Sequence, residues 1–308
     1  MRLTRTIIVL TTVLAGLSQA ASAADTTVVV WPGNANGWSY TNFDTDAWQA
    51  FVNGPATPPL GAGSSSFAHN GPPGVNGGTL HTANLNGTYL RDITTLTYWT
   101  YQQGADSLSY QPPYVQLFLD LDDAGVVDDG IGFEPAWQTG GRFMVAGLQE
   151  TPFVTSPNVN AEQNGLGATG GGTAANQWWG WDLLVGSWWG RGGALSVGTY
   201  RLGQYQCFAD GCVTIEGIVE IYPNARIVSQ AAVTGTGGLR LQYGFGGNSH
   251  EYVGHVDQLV VGLASGDTTT YDFELGPDSK AACKNGGWVG FFRNQGQCVS
   301  FFESNRPK

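Results

Sequence analysis

Charged residues are scarce in this chain, since Asp, Glu, Lys and Arg make up only 12% of its 308 residues, against roughly 25% in an average soluble domain. Long exposed helices need many Glu, Lys and Ala residues, so the composition disfavours a helical protein. Basic residues are the scarcer kind, with 13 Lys and Arg against 24 Asp and Glu. Because phosphate groups are bound by clustered Lys and Arg, we expect no nucleic-acid or anionic-lipid partner.

Long apolar runs are missing as well. Ile7–Leu17 is apolar but shorter than the about 18 residues that a membrane-spanning helix needs. It follows Arg2 and Arg5 and precedes an Ala-Ser-Ala site at 21–23, which together predict a signal peptide over residues 1–23. We therefore expect a secreted, extracellular protein without a transmembrane segment. Loss of the two arginines would change the net charge from −11 to about −13.

Cysteine is rare, and all four cysteines lie in the last third of the chain. An even number in an exported chain predicts disulfides. Cys207 and Cys212 flank a short loop, and Cys283 and Cys298 flank a Gly-rich, aromatic segment, so we favour these two local pairs. A zinc site is the alternative, but neither pair has Cys-x-x-Cys spacing or a nearby His.

Glycine and tryptophan are abundant, at 46 and 11 residues. Turns rich in Gly, Asn, Pro and Asp separate short segments in which apolar and polar residues alternate, as strands require. The clearest segments are TTLTYWTYQ at 94–102 and YVQLFLDLD at 114–122. Shorter candidate strands are Thr26–Trp31, Ile131–Glu134, Leu239–Phe245, His255–Val261 and Thr268–Phe273.

This succession of strands predicts an all-β fold, an antiparallel β-sandwich of the jelly-roll or lectin-like type. We place the sandwich at residues 24–276 and a small disulfide-closed segment at 277–308. One stretch has helical spacing: apolar residues at Ile215, Ile218, Val219 and Tyr222 predict a short helix over Thr214–Tyr222, with Thr214 as N-cap and Pro223 as its stop. Its β-branched content leaves a strand as the alternative.

Several phrases occur in a recognisable order: GPATPPLG at 54–61, YLRDITTLTYWTYQ at 89–102, HVDQLVVG at 255–262, YDFE at 271–274 and CKNGGWVGFFRNQGQCVSF at 283–301. With them the chain resembles a group of poorly characterised secreted proteins of actinobacteria and other soil bacteria. The Cys-x-x-Gly-Gly-Trp and Asn-Gln-Gly-Gln-Cys pattern is the most specific part. The resemblance implies export and a jelly-roll sandwich related in shape to carbohydrate-binding modules. It implies no catalytic residue.

A tryptophan cluster is the strongest candidate for a ligand site. Sugars present flat C–H faces that stack on indole rings, while neighbouring polar groups bond their hydroxyls. Two interpretations stay open: the tryptophans bind a ligand at the surface, or they are core residues that fill the space between the sheets. Strand alternation places Trp178 on one face and Trp179 with Trp181 on the other. The candidate ligand-binding residues are Trp178, Trp179, Trp181, Asp182, Trp188, Trp189 and Arg191.

An acidic segment, LDLDDAGVVDDG at 119–130, is a candidate calcium site. Calcium binds six to eight oxygens, and closely spaced carboxylates repel one another without a cation. The alternative is a hairpin turn in which Asp and Gly serve turn geometry. The segment lacks the order of ligands of an EF-hand. The candidate ligands are Asp120, Asp122, Asp123, Asp128 and Asp129.

Motifs of known enzymes are missing: there is no His-Glu-x-x-His zinc motif and no Gly-x-Ser-x-Gly elbow. We therefore expect a non-enzymatic, secreted β-sandwich that binds an extracellular or cell-wall polysaccharide, with calcium as the one possible cofactor. A glycoside hydrolase or polysaccharide lyase on the same scaffold is the first alternative, and a structural surface protein is the second. The aromatic residues of the C-terminal segment predict either a lid or an attachment surface.

Overall fold

The computed structural model describes residues 23–42, 47–69, 77–103, 112–135, 176, 178–184, 188–190, 194–195, 199–201, 216–229, 237–243 and 252–304. The described residues form two β-sheets that enclose a common core, so the predicted β-sandwich is confirmed. Among these residues no helix has the length and hydrophobicity needed to cross a membrane. The predicted signal peptide, Cys207, Cys212 and Arg191 lie outside the described residues.

The first sheet has seven strands in the described part of the chain. They are β1 (Asp25–Val30), β3 (Ala47–Asn53), β4 (Gly63–His69), β6 (Ile93–Gln103), β9 (Trp178–Asp182), β15 (Tyr252–Leu263) and β16 (Thr268–Phe273). The long strand β15 pairs with β6 on one edge. On its other edge the first half pairs with β4 and the second half with β16.

The second sheet has nine described strands, in the order β12-β11-β10-β8-β7-β14-β5-β2, with β13 also beside β7. They are β2 (Trp38–Asn42), β5 (Gly78–Thr82), β7 (Tyr114–Asp120), β8 (Asp129–Phe133), β10 (Trp188–Gly190), β11 (Thr199–Arg201), β12 (Glu216–Gly217), β13 (Arg226–Ile227) and β14 (Leu239–Tyr243). Neighbouring strands are antiparallel except β1 with β16 and β11 with β12, both parallel.

Alternation along the strands builds the core between the sheets. In β7, Val115, Leu117 and Leu119 are completely buried and face the first sheet. The first sheet contributes side chains such as Leu96 and Phe273 to the same core, and these are also completely buried. Because apolar burial contributes roughly 25 cal/mol per Å², this shared core is the main stabilising feature of the fold.

The short helix predicted over Thr214–Tyr222 is present but covers only part of that range. Glu216–Gly217 is strand β12, and only Ile218–Ile221 forms one helical turn, with Gly217 at the N-cap. Thr214 lies outside the described residues. The extended residues are Glu216 and Gly217, which pair with β11. The β-branched Ile218, Val219 and Ile221 lie in the helical turn, so β-branching does not account for the strand. The predicted stop is confirmed, since Tyr222 has left the helical conformation just before Pro223.

The C-terminal segment contains the predicted Cys283–Cys298 disulfide. It is helical at Lys280–Ala282 and Gln295–Ser304, which the sequence interpretation missed. The stretch Cys283–Gly287 between them departs from helical geometry at Asn285 and Gly286. Phe291, Phe292 and Phe301 pack around Trp31, at ring-centroid distances of 5.4, 5.4 and 5.8 Å. Trp31 directly follows the edge strand β1, so these contacts favour the lid interpretation of the segment.

Candidate functional site

The predicted tryptophan cluster divides between the core and the surface. Trp179 and Trp181 point inward from β9, and Trp188 points inward from β10, all at most 4% exposed. The buried indole N–H groups of two of them have acceptors: Trp181 Nε1 donates to Thr100 Oγ1 at 2.9 Å, and Trp188 Nε1 donates to the Leu183 carbonyl at 2.8 Å. These three tryptophans are core residues, so our prediction that they contact a ligand is corrected.

Trp178 and Asp182 lie on the opposite, outer face of β9, and both are half-buried. The indole Nε1 of Trp178 donates to the carbonyl of Pro55 at 3.0 Å. Asp182 Oδ1 accepts a hydrogen bond from the Leu184 amide at 2.9 Å. The side chain of Trp189 lies outside the described residues, as does Arg191. Two of the seven predicted residues therefore meet on one surface.

The pairing of β15, β6 and β9 places this surface in three rows of side chains. Tyr101 on the central strand β6 stands between His255 and Trp178. The next rows hold Asp257, Trp99 and Gly180, then Val260, Thr97 and Asp182. On β6 and β9 successive rows are two residues apart, which corresponds to about 7 Å along a strand, whereas on β15 a bulge puts Val260 three residues after Asp257.

We call Trp99, Tyr101 and Trp178 the aromatic face. Trp99 and Trp178 are half-buried, while Tyr101 is 6% exposed. The rings of Tyr101 and Trp178 lie 5.5 Å apart between centroids, tilted by 55°. Gly180 opposite Trp99 has no side chain, so nothing projects from β9 beside that indole. The face offers half-exposed rings of the kind that stack on a sugar. Sequence alternation alone signalled Trp99 and Tyr101, but we did not assign them to a site.

His255 borders the aromatic face on the β15 side. Its ring packs edge-on against Tyr101, with centroids 5.8 Å apart, and Nδ1 lies 3.0 Å from Ser64 Oγ. Nε2 is buried and has no hydrogen-bond partner among the residues that the structure describes. Burial lowers the pKa of His255 to about 4, so the imidazole is neutral near neutral pH.

Three buried carboxyl groups, which we call the acid cluster, lie beside this face: Asp257, Asp272 and Glu274, exposed by 0%, 8% and 8%. Burial raises the pKa of Asp257 to about 8, although backbone amides donate to it. Burial, with Glu274 as neighbour, raises the pKa of Asp272 to about 6. The seven described strands of this sheet contain no Lys or Arg, so none of them supplies a counter-charge.

Residues 54–62, which we call the strap, connect β3 to β4 and lie against the acid cluster. The Leu60 amide donates to Asp257 Oδ2 at 3.2 Å, and the Ala62 amide donates to Glu274 Oε1 at 2.7 Å. These contacts make the strap a structured element. The sequence carried no signal for them, because the partners lie about 200 residues further along the chain.

The acidic segment forms the predicted hairpin between β7 and β8. Asp120 is completely buried and accepts hydrogen bonds from the amides of Ala124 and Gly125 at 3.1 and 2.7 Å. Arg226 pairs with Asp120 at 2.9 Å and with Asp123 at 2.7 Å. Burial alone would raise the pKa of Asp120, but bonds from Gly125 and Arg226 outweigh it and lower that pKa.

One oxygen from each of Asp120, Asp122 and Asp128 lies within 4.8 Å of the others. The Leu121 amide donates to Asp128 Oδ2 at 2.7 Å. Asp129 stands apart, since its Oδ2 accepts from the Leu195 amide at 2.8 Å. Most of the carboxylates therefore already have a partner within the turn, either a backbone amide or Arg226. Calcium binding stays a prediction, with Asp120, Asp122 and Asp128 as its ligand set.

The outer face of the nine-stranded sheet carries a second polar group of residues. His81, Arg240 and Gln116 stand side by side on β5, β14 and β7, each at most 7% exposed. His81 Nδ1 accepts from the Gly237 amide at 2.9 Å, while Nε2 lies 3.0 Å from Thr41 Oγ1. Both ring nitrogens are occupied, so His81 is not placed to remove a proton from a substrate.

Comparison of the chain with protein-family models, curated proteins and solved structures gives no match.

Proposed function

We propose that this protein is secreted and binds an extracellular or cell-wall polysaccharide through the aromatic face, without cleaving it. The observation that carries the proposal is the pair of half-buried indole rings next to Tyr101 on the outer face of the sheet: Trp99 follows along β6 and Trp178 lies across on β9. Each ring offers an apolar plane to sugar C–H groups. Asp182 at the border offers carboxylate oxygens to sugar hydroxyls.

The strand framework suits this role. Rings on neighbouring strands are held at fixed spacing by the ladder β15-β6-β9, so little side-chain freedom is lost on binding. The low content of charged residues also fits a neutral, hydroxylated ligand better than a charged one. The export signal, the disulfide between Cys283 and Cys298 and the resemblance to secreted soil-bacterial proteins support an extracellular setting.

A polysaccharide-cleaving activity gains no specific support from the described residues. A glycosidase needs two carboxyl groups on either side of the scissile bond, but Asp257 is completely buried beneath the strap. The histidine of the second polar group, His81, has both ring nitrogens occupied. We therefore keep the binding function as the proposal.

A pull-down of the mature chain on a panel of insoluble and immobilised polysaccharides tests the proposal. We expect retention on at least one polymer, weakened about tenfold or more by Trp99→Ala/Trp178→Ala, since loss of aromatic anchors commonly costs more than 1 kcal/mol each. Trp288→Ala is the matched control, because it removes a half-buried indole from the C-terminal segment. Retention on no polymer, or equal loss with the control variant, would refute the proposal.

A further inference from the structure

We propose that the strap, residues 54–62, is a pH-controlled cover of the aromatic face, held down while Asp257 and Asp272 keep their protons and released when these protons are lost. The regulatory part of this inference rests on the proposed polysaccharide site. The opening of the strap does not, since it depends only on contacts within the chain.

The strap is tied to the acid cluster at two points close together. Leu60 and Ala62 donate their amides to Asp257 and Glu274, and Gly61 between them has a φ of +61°. A side chain at Gly61 would overlap Glu274 Oε1, so the backbone lies directly on that carboxyl group. Asp257 Oδ1 also accepts from the Phe273 amide at 3.2 Å, which links the cluster to β16.

The other end of the strap touches the aromatic face. Pro55 accepts the indole hydrogen bond of Trp178, and Trp178 is in ring contact with Tyr101. Release of the strap would therefore free the Trp178 N–H group and uncover more of its ring. Both are groups that a sugar can use, one for a hydroxyl and one for a C–H face.

Backbone amides that donate to Asp257, Leu60 among them, favour its ionised form, but burial outweighs them, and no basic side chain of the described strands compensates for it. The strap contains no ionisable side chain. His255 on β15 is neutral because burial lowers its pKa to about 4. Burial raises the pKa of Tyr101 on β6, so this phenol stays neutral too. Asp182 on β9 is acidic, and the seven described strands carry no Lys or Arg.

The direction of the pH effect follows from these raised values. With the strap closed, Asp257 and Asp272 hold protons up to pH values of about 8 and about 6. With the strap open, water reaches the carboxyl groups and they ionise near their ordinary pKa of 3.8. Opening therefore releases protons, so a rise in pH favours the open form. Asp272 Oδ1 is buried and has no hydrogen-bond partner in the described part of the chain, and it would gain water on opening.

Hydrogen exchange of the Leu60 and Ala62 amides, measured from pH 5 to 8.5 and corrected for intrinsic exchange rates, tests the strap directly. We expect protection to fall by up to about tenfold per pH unit between 6 and 8, where one proton is released on opening. Asp257→Asn/Asp272→Asn should remove this dependence. Glu274→Gln keeps an acceptor for the Ala62 amide but removes the neighbour that raises the pKa of Asp272, so the contribution of Asp272 to the fall in protection should end at a lower pH. Asp278→Asn, an exposed acid outside the cluster, is the matched control.

The proposal would be overturned if protection of the Leu60 and Ala62 amides did not change with pH in the wild-type chain. It would also be overturned if the double variant and Glu274→Gln showed the same fall in protection as the wild type. Retention on the polysaccharide that binds the protein is compared at pH 5.5 and 8, and we expect stronger retention at pH 8. If exchange of the Leu60 and Ala62 amides depends on pH but the protein is retained on no polymer, the proposed function is refuted while the pH-dependent opening of the strap is supported. If exchange of these amides depends on pH but retention is equal at both pH values, the proposal that the strap regulates polysaccharide binding is overturned.

Discussion

Gly61 shows how one residue fixes the position of a whole loop. Its φ of +61° is a conformation in which an L side chain is strained, and a side chain there would overlap the carboxyl group of Glu274. Both effects act at the point where the neighbouring Ala62 amide binds Glu274. The strap can therefore lie on the acid cluster only because this position has no side chain.

We predict that Gly61→Ala lowers the free energy of unfolding by about 1–3 kcal/mol, through backbone strain and steric overlap. Gly87→Ala is the matched control, because Gly87 also has a positive φ, +82°, but has no atom within 4 Å of the added methyl group. Denaturant unfolding of both variants separates the two effects. An equal loss in both would contradict the close contact between Gly61 and Glu274.

Arg226 performs a comparable task in the hairpin between β7 and β8. It binds the buried Asp120 and, on its exposed side, Asp123. Without Arg226 the Asp120 carboxylate keeps only its backbone donors, Ala124 and Gly125. The arginine thus supplies part of what a cation would supply to this turn.

We predict that Arg226→Gln lowers the melting temperature more than Asp123→Asn does, since only the first leaves a buried carboxylate without its ion pair. The pKa of Asp120 is lowered in the folded chain. Its stabilising effect is therefore full above about pH 4 and is lost as pH falls through the lowered folded value. Thermal melts between pH 2 and 7 should show a smaller acid loss for Arg226→Gln. An unchanged acid profile would refute the pair's contribution.

At the level of the element, β9 presents tryptophan to both sides of one sheet. Trp179 and Trp181 fill the core, whereas Trp178 lies outside beside Tyr101. Period-2 geometry dictates this division, and only the location of the neighbouring strand β6 turns Trp178 into part of a surface with Trp99.

We predict that Trp181→Ala destabilises the protein by about 3–5 kcal/mol, the usual cost of emptying a buried indole site. Trp178→Ala should cost far less, roughly 1 kcal/mol, because its ring is already partly solvated. Denaturant titration of both variants compares the two faces of one strand. Equal destabilisation would contradict the assignment of Trp178 to the surface.

The elements differ in how well the sequence predicted them. The strongly alternating or β-branched segments at β6, β7 and β16 were located to within a residue or two. Strand β4, GSSSFAH, was missed because buried serines conceal the pattern. The acid cluster and the strap could not be predicted, since Asp257 and Leu60 meet only through strand pairing far apart along the chain.

For the whole molecule, the pH dependence of stability is set by where the charged groups lie rather than by how many there are. The seven-stranded sheet holds three buried carboxyl groups and has no basic residue in its described strands. The nine-stranded sheet places Arg226 against Asp120. The two sheets therefore respond to pH in opposite directions, because a raised acid pKa favours low pH and a lowered one favours high pH.

We predict that stability declines as pH rises from about 6 to 8, whereas below about pH 6 the lowered pKa of His255 acts in the opposite direction and offsets part of the carboxyl effect. Asp257 and Asp272, with pKa values raised to about 8 and about 6, contribute stability that is full below about pH 4 and lost as pH rises through those values. Calorimetry from pH 3 to 9 measures this profile. A stability that rises between about pH 6 and 8 would contradict the raised values.

The most direct test of the central claim is oxidative footprinting of tryptophans in the wild-type chain, with and without the polysaccharide that retains it. We predict that Trp99 and Trp178 are oxidised in the free protein and protected by the polymer, while the buried Trp179, Trp181 and Trp188 resist oxidation in both samples. Equal oxidation of Trp99 and Trp178 with and without the bound polymer would show that the aromatic face is not where this protein binds.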